Sequence, residues 1–129
     1  MADGVEILEI KDEDELYRRL APDWVTNGEV NSAAFKEGGR PRSGTPVDLR
    51  ISVDLARETT PQDSVARAER DGFGLGALTA AEPRSHDLTV VHKPIQGNYS
   101  HSSIDGDYTK AKCRALAEAT NILIQPAKR

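Results

Sequence analysis

Between residues 47 and 56 the chain alternates with a period of two. Val47, Leu49, Ile51, Val53 and Leu55 are apolar, and Asp48, Arg50, Ser52 and Asp54 between them are polar. Successive side chains of a strand point to opposite faces, so this segment predicts a strand with one buried and one wet face. The apolar side should meet the helix-covered face of a sheet, because a one-residue slip would turn five apolar groups to water.

Other segments carry start and stop signals. Thr60-Pro61-Gln62-Asp63 predicts a helix start, with Thr60 as cap, Pro61 at the first helical position and Asp63 completing the capping box. That helix should run to about Arg70 and stop at Asp71-Gly72. Phe73, Leu75 and Ala77 alternate with Gly74, Gly76 and Leu78, which predicts a strand that another backbone approaches closely. Leu88-Thr89-Val90-Val91-His92 predicts a further strand ended by Lys93-Pro94, and residues 96–100 a loop. A last helix should start near Asp107, with Cys113, Leu116, Ala117 and Thr120 as its apolar stripe and Asn121 at its end. Ile122-Leu123-Ile124 then forms a last strand or packs as an apolar tail.

Nearer the start, Val5, Ile7 and Leu8 suggest a short strand. The acidic run before Leu16-Tyr17-Arg18-Arg19-Leu20 suits the first turn of a helix. A strand through Leu16, Arg18 and Leu20 fits equally, and the two readings stay open. Asn27-Gly28 supplies a tight turn between Trp24-Val25 and the segment 30–35. Residues 38–46 form a Gly/Pro-rich loop. The expected fold class is α+β: a small antiparallel or mixed sheet with two helices on one face, in a single domain over residues 1–129.

Composition narrows the function classes. A chain of 129 residues with 37% hydrophobic and 29% charged residues suits one core. A net charge of −4 gives no global attraction to nucleic acid or to anionic membranes. One cysteine, Cys113, excludes an internal disulfide and a paired-cysteine metal site. Neither a basic start followed by an apolar run nor a long apolar segment is present. The expectation is a cytoplasmic location, no membrane contact and no cofactor.

Candidate chemistry centres on a few side chains. His101-Ser102-Ser103 has the His-x-Ser form used in pairs by phosphoesterases, but the second copy is missing. Without it, His101 is a loop histidine bonding local backbone. Residues 72–76 are glycine-rich without the Gly-Lys-Ser/Thr of a phosphate cradle, so close backbone packing explains them better. Of His86, His92 and His101, the first two are six residues apart and would share a face on one strand, but Asp87 and Lys93 beside them suit ordinary surface and a metal site would need a third ligand brought from elsewhere. Cys113 sits in an apolar stripe and reads as core. Arg18 and Arg19, with Arg40 and Arg42 in the glycine-rich loop, concentrate positive charge that matches phosphate or carboxylate geometry. The plainer alternative is charged surface with snorkelling stems.

Four segments form a familiar set: Leu16-Tyr17-Arg18-Arg19, Ser32-Ala33-Ala34-Phe35, Ser52-Val53-Asp54-Leu55, and residues 98–106 followed by Leu116-Ala117. Together they resemble short bacterial proteins of unassigned function, some from conflict or defence gene neighbourhoods. The resemblance runs from about Leu16 to Ala119 and implies no activity. It does mark a polar pocket of Arg18 or Arg19, Ser32, Ser52 and His101, should the segments converge. Two functions are expected from this. The first is a non-catalytic binding module with a protein partner. The second is a small enzyme acting on a phosphate-bearing substrate, a nucleotide or RNA. There His101 would be general acid or base, Ser52 would assist by hydrogen bonding, and Arg18 or Arg19, with Ser32, Arg40 and Arg42, would hold the ligand.

Overall fold

The computed structural model describes residues 5–36 and 47–127. In chain order the elements are β1 (Glu15–Leu20), β2 (Val25–Thr26), β3 (Glu29–Val30), β4 (Val47–Leu55), α1 (Pro61–Ala66), β5 (Gly74–Thr79), α2 (Ala81–Arg84), β6 (Thr89–His92), β7 (His101–Tyr108), α3 (Lys110–Ala119) and β8 (Asn121–Ile124). Six strands make one sheet in the order β6-β7-β4-β1-β5-β8. Every neighbouring pair in it is antiparallel. The fold is α+β, as the pattern predicts, but the sheet is larger than a small one and wholly antiparallel rather than mixed.

The strand with the clean period two lies third in that order, with its apolar side in the core. Leu49, Ile51, Val53 and Leu55 are all buried, Ile51 completely. They join Leu16 and Leu20 of β1, Ile104 and Tyr108 of β7, and Cys113, Leu116 and Ala117 of α3 in one cluster. The side chain of Val47 lies outside the described residues. A separate cluster forms on the opposite face, where Val65 of α1 packs against Tyr17, Leu75 and Ala77. The expected pair of helices on one face is therefore not found, because α1 and α3 cover opposite faces. Alternation along β1 forces this: Leu16 points to α3 and Tyr17 to α1.

Several local signals are realised. Thr60 caps α1 by accepting the amide of Asp63, and Pro61 opens the helix. The helix stops at Ala66, shorter than its start signal suggested. Val25 and Val30 pair across the Asn27-Gly28 turn, where both turn residues have positive φ. Residues 16–20 are strand, and residues 121–124 pair with β5 as β8. Cys113 is fully buried and donates its thiol to the Phe35 carbonyl at 3.3 Å.

Other signals misled. Residues 5–10 are irregular rather than a strand, and Leu8 N–H donates to His92 Nδ1 at 2.8 Å. Ser32–Phe35 forms a 3-10 turn that packs on α3. The cap of α3 is Thr109, which accepts from Lys112 N, and not Asp107, which lies in β7. His86 precedes β6 instead of sharing it with His92. Among the described residues no helix is long and apolar enough to cross a membrane, and no three His, Cys, Asp or Glu gather as a metal site.

The glycines of β5 act as the alternation implied. A Cβ on Gly74 would land on the Ile124 carbonyl oxygen and 2.5 Å from Pro126 N. The chain after β8 packs directly on the bare backbone. Gly74→Ala must push that backbone away, and overpacking of this kind costs about 1–3 kcal/mol. A lowered urea midpoint with an unchanged slope is the expected result.

Candidate functional site

β1 and β4 are ladder partners over only two pairs, Leu16↔Leu55 and Tyr17↔Asp54. Beyond them β1 continues along β5, and β4 continues along β7. The Arg18 guanidinium fills the place where the two strands part. Its Nε donates to the Ala34 carbonyl at 3.0 Å and its Nη1 to the Ser52 carbonyl at 2.9 Å. It lies 5.0 Å from the Trp24 ring centroid, a cation–π distance, and Arg18 is only 4% exposed. One side chain thus joins three of the four segments singled out in the sequence.

Asp54 joins the fourth. It is completely buried, yet both of its oxygens are occupied. Oδ2 accepts from Ser64 Oγ at 2.6 Å, from Arg19 Nη1 at 2.8 Å and from Arg67 Nη1 at 3.3 Å. Oδ1 accepts from Asn98 Nδ2 at 2.9 Å. Burial pushes the carboxyl pKa up, but the Ser64 and Asn98 hydrogen bonds and the Arg19 and Arg67 charges outweigh it and hold the group below the usual carboxylate range. Asn98 Oδ1 in turn accepts from Ser100 N and Ser100 Oγ. The network ties β1, β4, α1 and the β6–β7 loop into one unit.

On the same face of β4, two residues before Asp54, Ser52 meets His101. The Nε2–Oγ distance is 3.3 Å, and His101 Nδ1 lies 2.8 Å from the Lys93 carbonyl. A carbonyl only accepts, so Nδ1 carries a proton, and Nε2 is the ring nitrogen left to accept from Ser52. Ser52 also lines an open groove of about 620 Å³ with Arg18, Arg19, Trp24, Arg67 and Phe73. Arg70 adds a fourth cation, while Asp23, Glu69 and Asp71 add three acids. With Asp54 behind Arg19 and Arg67, the groove is close to charge-balanced.

The structure places Arg18, Arg19 and Ser52 on one groove, and His101 touches Ser52 without being among the residues that line it. Ser32 starts the 3-10 turn and is not among the lining residues of this groove. Arg40 and Arg42, with the whole loop 38–46, lie outside the described residues. Sequence reasoning missed Asp54, Ser64, Arg67 and Asn98. Asp54 was placed on a wet face; the face is right, but α1 covers it there. Arg18 and Arg19 were paired as one positive patch. As strand neighbours they point to opposite faces, and what they share is the lining of one groove. In comparisons with family models, with curated proteins and with solved structures, the chain finds no match.

Proposed function

We propose that the chain is a non-catalytic binding or interaction module that works with a protein partner in a bacterial system. The observation that carries this reading is a fixed apolar corner beside the β6–β7 turn. Ile95 is 52% exposed, Ile7 48% and Tyr99 37%. Val5, Pro94, Ile95 and Tyr99 line a shallow groove there. The corner is held rigid: Tyr99 Oη donates to the Glu6 carbonyl at 2.8 Å, and His92 Nε2 bonds the Tyr99 carbonyl at 2.7 Å. A rigid exposed apolar cluster loses little conformational entropy on docking, which favours recognition. Internal use of the arginines points the same way: Arg18 Nε and Nη1 donate to backbone carbonyls, and Arg19 Nη1 donates to Asp54.

The test is affinity capture from native lysate with the wild type and Ile95→Glu. A stoichiometric protein retained by the wild type and lost by Ile95→Glu is expected. The unfolding free energy should barely move, as for most surface changes, within about 0.5 kcal/mol. Failure to retain any stoichiometric protein under several conditions would remove this reading.

A second reading is favoured by one contact, that of His101 with Ser52 beside the arginine-lined groove. In it the chain is a small enzyme on a phosphate-bearing substrate, a nucleotide or RNA, with His101 as general acid or base. A charge-balanced groove suits a singly charged phosphodiester better than a polyphosphate.

A further inference from the structure

We infer that Ser52 is a nucleophile, activated by His101, which attacks the phosphorus of a phosphodiester; this rests on the second reading above. Three observations carry it. The Ser52 Oγ lies 3.3 Å from His101 Nε2, the looser end of the nucleophile–base distance in a ligand-free site. The Lys93 carbonyl, 2.8 Å from Nδ1, fixes the tautomer in which Nε2 is the acceptor, the part an acidic third residue plays in other serine sites. Ser52 faces a groove where arginines converge, and Arg18 Nη1 sits 2.9 Å from the carbonyl of Ser52 itself.

The step balances without a metal or a redox partner. The Oγ–H proton passes to Nε2 as the Oγ–P bond forms. The P–O bond to the leaving alcohol breaks, and that alcohol takes the proton from Nε2. Water then attacks the resulting seryl phosphodiester and gives its proton to Nε2; the P–Oγ bond breaks, Ser52 Oγ takes that proton back, and the phosphate monoester of the second alcohol leaves. Arg19 and Arg67, which line the groove and keep 21% and 30% of their side-chain surface exposed, stabilise the charge that grows on the non-bridging oxygens. The position of Ser52 on a central strand, and not on a loop, holds the pair in register through the β4–β7 ladder, where Ser52↔Ser103 and Asp54↔His101 are partners.

Diisopropyl fluorophosphate tests the nucleophile directly. Attack forms the Oγ–P bond, breaks P–F and releases fluoride. Peptide mass mapping should find the adduct on Ser52 in the folded protein and not in urea. Ser52→Ala should abolish it. His101→Gln should slow it by about 100-fold, the contribution of a positioned general base. Ser52→Cys provides an independent check: iodoacetamide should alkylate the new thiol faster with His101 present than with Gln there. Cys113, fully buried, does not compete. Absence of a Ser52 adduct, or equal rates in the wild type and His101→Gln, overturns the inference. Turnover of bis(p-nitrophenyl) phosphate separates the two claims. A Ser52 adduct without turnover upholds the nucleophile and sinks the phosphodiester substrate. Turnover that survives in Ser52→Ala overturns the nucleophile and leaves a phosphate-directed enzyme.

Discussion

Ile51→Asp should leave no folded protein: no cooperative urea transition, and a far-UV spectrum without strand signal. Ile51 is at the centre of β4, completely buried, opposite Ile104 of β7. Removing it forfeits about 1.5–3 kcal/mol of apolar burial. The carboxylate that replaces it then lies inside an apolar cluster. That cluster also holds Leu16, Val53, Leu55 and Leu116. Stranding an ion in such surroundings costs several kcal/mol even after relaxation. Together the two terms consume most of the 5–15 kcal/mol that holds a typical domain together. Ser52→Ala, one residue away on the other face, should leave the urea midpoint almost unchanged. A wild-type midpoint for Ile51→Asp would mean that the register of β4 is wrong.

The legibility of that strand contrasts with the obscurity of its partner. β4 presents Leu49, Ile51, Val53 and Leu55 to the core, so period two is plain in the sequence. β7 lies along it for eight residue pairs, yet the hydrophobic pattern predicts no strand there. Its core-facing positions are Ser102, Ile104, Gly106 and Tyr108, only two of them apolar. Asp105-Gly106 also imitates a turn. Gly106 instead holds φ +141 inside the strand, and a Cβ there would meet Leu88 Cδ2 at 2.9 Å. A small, polar interior position is invisible to a hydrophobic pattern when the partner strand supplies the bulk. The helix-or-strand ambiguity of residues 16–20 has a similar origin. The acidic run before them suits a helix start, and only pairing on both sides, with β4 and β5, decides for strand.

The site was legible as a set of segments and not as a mechanism. Arg18, Ser52 and His101 each stand out in the sequence, and the fold joins them through one backbone carbonyl and one hydroxyl, both of Ser52. No sequence pattern announces such bonds, because a carbonyl acceptor has no residue identity. Asp54 was hidden for a different reason. Its alternation assigns it to the polar face of β4, and only the packing of α1 on that face makes it a buried carboxylate. Thr60 and Pro61 announced that helix, but nothing local stated which face it would cover.

Asp54→Asn is the substitution that probes this hidden centre. It preserves shape and should still cost about 3 kcal/mol, the lower end for breaking a buried charge pair. The lower end applies because Arg19 and Arg67 keep 21% and 30% of their side-chain surface exposed and can recover some hydration. The cost arises from the polarity of the network. If the new amide turns its oxygen to Ser64, Arg19 and Arg67, its NH2 faces the NH2 of Asn98. Asn98 cannot flip without presenting its NH2 to Ser100 N, which its oxygen now accepts. One buried donor is left facing another in either arrangement. The effect must also depend on pH. The folded-state pKa of Asp54 lies below its unfolded value, so the carboxylate contributes fully above the unfolded carboxylate range. That contribution is lost as pH falls through the lower, folded-state value, because protonation removes the charge that pairs with both arginines. Wild-type and Asp54→Asn unfolding free energies, measured in urea from neutral pH downward, should therefore differ most at neutral pH and converge in acid. A constant gap across that range would show that the Asp54 carboxylate is not held below its ordinary range by the folded state.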